Sequence, residues 1–84
     1  MPSKDDAARY RDNRQDEMNS AALYRTFAAL EPQTQLAQLY ERLAPVEDRH
    51  ARFWEQYLRA AGASVPPPRP VSYTHLTLPT IYSV

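Results

Sequence analysis

The strongest constraint on this chain is the spacing of its helix-breaking residues. From about Asp6 to Leu30 there is neither glycine nor proline, and good helix formers dominate. Ser3, with Asp5 and Asp6, supplies an N-terminal cap and complements the helix dipole. Glu31-Pro32 ends the run, because a residue before proline is pushed out of the helical region. A second helix is expected from about Gln33 to Ala61, with Gly62 just past it as the stop. The short connection predicts an antiparallel helical hairpin and an all-α fold. Pro45 falls inside the second helix, where it removes a hydrogen bond and costs about 3 kcal/mol, so a kink is expected there. Leu36, Tyr40, Leu43, Trp54, Tyr57 and Leu58 keep one helical phase across it and define the inward side.

At 84 residues the chain is near the lower limit for one independent core, and two domains are excluded. Ordering costs on the order of 1.5 kcal/mol per residue, so so small a core calls for a staple: metal, disulfide or partner. With no cysteine, disulfides and thiolate metal sites are out. Ten basic residues against ten acidic ones give zero net charge, which argues against nucleic acid as a partner. A single glycine rules out a phosphate-binding loop, and one credible histidine without a placed serine rules out a catalytic triad. Met1 to Arg14 is charged and lacks the apolar stretch of a signal peptide, and no window approaches the roughly 18 apolar residues of a membrane span. The segment reads as cytoplasmic in character.

Composition breaks abruptly near the end. Every acidic and basic residue lies between Lys4 and Arg69, and the last fifteen positions have none. The break falls in Val65-Pro66-Pro67-Pro68-Arg69-Pro70, where prolines favour an extended polyproline conformation, so 63–70 is expected to be a linker. Val71-Ser72-Tyr73-Thr74-His75-Leu76-Thr77-Leu78-Pro79-Thr80 reverse-translates to GTC TCT TAT ACA CAT CTG ACG CTG CCG ACG. That string resembles a transposase-type sequencing adapter read through as coding sequence. Residues 71–84 are therefore taken as an artefactual tail, expected to be disordered and excluded from fold reasoning, and His75 receives no role. The expected domain is thus 1–62, cut from a longer gene near Pro70.

Ionisable groups interrupt the inward side. At about 100° per residue, Glu47 falls within roughly 40° of Leu36, Tyr40, Leu43, Trp54 and Leu58, and His50 lies one turn on along the same stripe. On the first helix, Glu17, Tyr24 and Glu31 recur every seven residues among Ala21, Phe27 and Ala28. Burying an unpaired carboxylate is costly, and several facing one another call for a cation. Glu47-Asp48-Arg49-His50 is a Glu-x-x-His element. Residues three apart project side by side, so a carboxylate oxygen and an imidazole nitrogen can reach one metal ion, with a glutamate from the facing helix on its other side. Such mixed oxygen and nitrogen ligation suits iron or manganese.

Glu17 followed by Tyr24, with Glu47 and His50 on the next helix, resembles the first helical pair of ferritin-like and rubrerythrin-type di-iron carboxylate proteins. The stretches Arg9–Glu17, Ser20–Arg25, Tyr40–Ala44 and Val46–Glu55, with the Arg59-Ala60-Ala61-Gly62 exit into prolines, are similar to rubrerythrin-like domains fused to vacuolar-iron-transporter-type membrane domains. The resemblance implies that the chain is the first half of a ferritin-like four-helix bundle, with Glu17, Glu47 and His50 as metal ligands and Tyr24 as a nearby phenol. It also implies that a second helical pair and a membrane-bound transporter follow in the intact protein. Pro45 departs from the acidic or polar residue expected in that family, which bears on the aim of Glu47.

Each assignment has a plainer competitor. Glu47 and His50 could form a solvated or core-satisfied pair, and Glu17 a surface contact with an arginine. Glu31 is more simply explained by helix termination, and Tyr24 by core packing. Phe53, Trp54 and Tyr57 are expected to pack, and Asp16, Glu41, Asp48 and Glu55 to lie on solvated faces with neighbouring arginines. Three functions follow: a metal-handling module of an iron transporter, a ferroxidase completed by a second copy of the hairpin, or a metal-free helical interaction module.

Overall fold

A computed structural model gives the structure of the chain and describes residues 4–67 and 69; the capping role assigned to Ser3 and the tail 71–84 lie outside the described residues. Helix α1 runs Lys4–Leu30 and helix α2 runs Thr34–Ala60, and among the described residues there is no strand. The two pack against each other as an all-α hairpin. Their antiparallel course is visible in the pairings: Tyr10 meets Trp54 and Tyr57, while Tyr24 and Phe27 meet Tyr40 next to the turn.

Both ends of the connection are locally encoded. The carboxylate Oε1 of Glu31 accepts the backbone N–H of Gln33 at 3.1 Å, giving that donor a partner where Pro32 has interrupted the helix. At the far end Gly62 takes φ +72°, and the N–H groups of Ala63 and Gly62 donate to the carbonyls of Leu58 and Arg59. That pattern is a Schellman stop, which needs the left-handed backbone only glycine adopts freely.

Helix α2 runs unbroken through Pro45, whose ring sits on the exposed side. The missing N–H falls on an exposed stretch, since the carbonyl it would have bonded, one turn back, belongs to exposed Glu41.

The core is narrow. Ala7, Ala21, Ala44, Ala51, Tyr24 and Leu58 are its buried apolar members, and only Tyr24 and Leu58 are both large and fully buried. Alanines at the seam let two helices approach closely, since interaxial distance follows the side chains at the contact. Two helices cannot cover all their own apolar surface, and Leu30, Leu39, Phe53 and Tyr57 stay exposed. Phe53 therefore departs from its expected packing role, being 60% exposed with its ring stacked on Tyr57 at 6.4 Å between centroids. Among the described residues no helix is long and apolar enough to cross a membrane.

Candidate metal centre

The seam is layered. At the open end, Tyr10, Trp54 and Tyr57 form an aromatic cluster with ring centroids 5.5–5.7 Å apart. Near the turn, Tyr40 stacks on Tyr24 at 6.2 Å and tilts against Phe27 at 5.3 Å. Between these two apolar layers the chain places its ionisable groups.

Glu17 enters this middle layer from α1, and Glu47 and His50 enter it from one face of α2. His50 Nδ1 lies 3.3 Å from Glu17 Oε2 and 3.8 Å from Glu47 Oε1. The three groups form a set whose ligand atoms all lie within 4.8 Å of one another. Their depth is graded: the Glu47 side chain is 6% exposed, Glu17 25% and His50 51%. The cluster thus has a buried carboxylate as its floor and an imidazole at its solvent edge.

The donor set fits a first-row divalent cation. Two ligands each about 2.1 Å from one ion stand about 3.0 Å apart when adjacent and about 4.2 Å apart when opposite. The 3.3 and 3.8 Å separations from His50 fall in that window, and the set as a whole, within 4.8 Å, would have to draw slightly closer around an ion. Two carboxylates and one imidazole are the oxygen and nitrogen chemistry that iron, manganese and zinc accept. Three such groups around one ion would leave coordination positions open.

The same atoms also make sense without metal. Neutral His50 carrying its proton on Nδ1 can donate to Glu17, whereas a metal bound through Nδ1 requires the proton on Nε2. Loading the site through that nitrogen therefore entails a tautomer change or loss of a proton.

Other expectations sort cleanly. Glu31 is engaged in the turn and is not a member of the cluster. Tyr24 is fully buried against Tyr40, so its packing role is realised. Asp16 and Glu41 are exposed, and Asp48 pairs with exposed Arg25 across the seam edge. Glu55 is different from the solvated residue expected. Its Oε2 accepts from Nε of Arg14 at 2.8 Å, and Arg14 is only 5% exposed. Arg14 lies three residues before Glu17 and so shares its face, a spacing that would have placed it in the seam had the rotation of α1 been known.

No family model matches the chain, and neither any curated protein nor any solved structure does. Site and fold alone carry the functional reading.

Proposed function

We propose that this hairpin is one half of a ferritin-like, rubrerythrin-type carboxylate metal centre that binds ferrous iron, with manganese as the alternative ion. The observation that carries the reading is the convergence of Glu17, Glu47 and His50 from two helices onto one point of the seam. The Glu47 and Glu17 carboxylates and the His50 imidazole share one partly buried space, and together they are an oxygen and nitrogen donor set that a divalent ion can bridge. Glu47 is the fixed donor, held by burial, and Glu17 closes from the opposite helix. His50 completes the set from the solvent edge, where an ion can enter.

Ferritin-like di-iron sites use two such halves, so the chain needs either a second helical pair or a second copy of itself. In the intact protein this hairpin is the metal-handling module of an iron transporter with a membrane domain. The iron in a completed site would supply ferroxidase chemistry with dioxygen. Exposed Phe53, Tyr57, Leu39 and Leu30 favour the second reading, a dimer in which two hairpins complete the site.

Anaerobic titration of the full chain with ferrous iron, followed by calorimetry, tests the proposal. Uptake that is lost in both Glu47→Ala and His50→Ala supports it. Uptake unchanged in both leaves only the metal-free interaction module.

A further inference from the structure

Arg14 and Gln15 are 5% and 6% exposed, although they are polar neighbours on a helix that has only one partner helix. What covers them is the proline-rich segment. Nη1 of Arg14 donates to the Pro66 carbonyl at 3.2 Å, while its Nε holds Glu55. Gln15 donates from Nε2 to the Arg69 carbonyl at 3.4 Å, and its Oε1 accepts the Arg69 N–H at 3.2 Å. A further bond from Nε2 to Asn19 Oδ1 at 2.9 Å fixes which way the amide faces. The Arg69 guanidinium lies 3.8 Å from Asp12, an exposed contact that adds little.

The register of this contact follows from covalent chemistry. In Pro66-Pro67-Pro68-Arg69-Pro70 the prolines have no N–H, so Arg69 has the only backbone donor in the run. Gln15 takes that donor and the carbonyl of the same residue, the two-point pairing that a neighbouring strand would make. A slip by one residue in either direction would present a proline and leave the amide oxygen without a donor. Polyproline segments are stiff beforehand, so docking one sacrifices little conformational freedom.

We propose that Arg14 and Gln15 form a docking surface for a proline-rich segment, that its occupant is this chain's own run through Pro66 and Arg69, and that these two anchor points make it a strut. Without it, the chain would pivot about the turn at Gly62. With it, Arg69 is pinned beside α1, one turn before Glu17, and whatever is attached there starts from a fixed point relative to the seam. The strut does not depend on metal, so this proposal and the metal-centre reading stand or fall separately.

Nuclear magnetic resonance on the full chain tests it, through amide exchange at Arg69 and heteronuclear NOEs along the segment. The wild-type Arg69 amide is expected to be protected and as rigid as helix amides. Gln15→Ala should cut its protection about fivefold, the worth of an ordinary hydrogen bond. Gln15→Glu, which keeps the acceptor and loses the donor, should fall between. Arg69→Pro removes the sole donor without touching the helices, and should release the Val65 amide to free-chain mobility. Free-peptide exchange of Arg69 in the wild type, or protection that survives Gln15→Ala, would overturn the proposal; so would a Val65 amide unmoved by Arg69→Pro.

Discussion

His50 and Glu17, on different helices and 33 residues apart in sequence, approach to 3.3 Å between Nδ1 and Oε2 across the hairpin seam. The contact stitches α1 to α2 at the middle of their length, between the aromatic layer of Tyr10 and Trp54 and that of Tyr24 and Tyr40. Its geometry leads to the first expected outcome.

In the metal-free chain the contact with the Glu17 carboxylate calls for a proton on Nδ1 of His50, and saturating divalent metal bound through that nitrogen should leave a proton on Nε2 alone. Long-range proton–nitrogen correlation spectra of the imidazole distinguish the two forms. Acidification works against loading, because protons compete for the same donor atoms. Apparent affinity should therefore fall as pH falls, and a pH-independent affinity would count against His50 as a ligand.

Metal should also stabilise the fold. At a free concentration about a hundredfold above Kd, linkage gives about 2.7 kcal/mol, which a urea midpoint resolves readily. Glu47→Gln keeps the side-chain volume and removes the charge, and this gain should vanish.

The Arg14–Glu55 and Arg25–Asp48 ion pairs should differ in weight. Arg14 is nearly buried and bonds both Glu55 and the Pro66 carbonyl, so Arg14→Met should cost about 1.5–3 kcal/mol. Arg25 and Asp48 are partly exposed, with side chains 56% and 33% accessible, and Asp48→Ala should cost less than about 1 kcal/mol. Equilibrium urea unfolding of both variants decides the order.

Gly62→Ala is expected to destabilise by about 1 kcal/mol. The cause is backbone conformation, since φ is +72° and an added Cβ would meet nothing within 4 Å. Gly62→Asn, which tolerates the left-handed region better, should recover part of the loss in thermal melts.

Pro45→Ala should stabilise the hairpin by up to about 3 kcal/mol, because it restores a helical hydrogen bond at an exposed position. The companion measurement is metal affinity. A large change would mean that the proline sets the aim of Glu47, two residues further on.

The sequence determined the elements and their ends. Pro32 and Gly62 act through covalent geometry and φ alone, so the helix limits expected near Leu30 and Ala61 fall within a residue of those observed. The spacing of Glu47 and His50 likewise put both on one face before any packing was known. Packing of α1 was a different matter. The seven-residue spacing of Glu17 and Tyr24 put them in one row, but polar and apolar residues are otherwise spread almost evenly around that helix, so nothing set Arg14 apart from the other arginines. Only contact with α2 turned Arg14 inward as well, and thereby made it the buried partner of Glu55. The exposure of Phe53 and the return of Arg69 onto Gln15 have the same origin: both depend on which surfaces a second helix leaves uncovered. Local backbone chemistry is written residue by residue, whereas the rotation of one helix against another is a property of the pair.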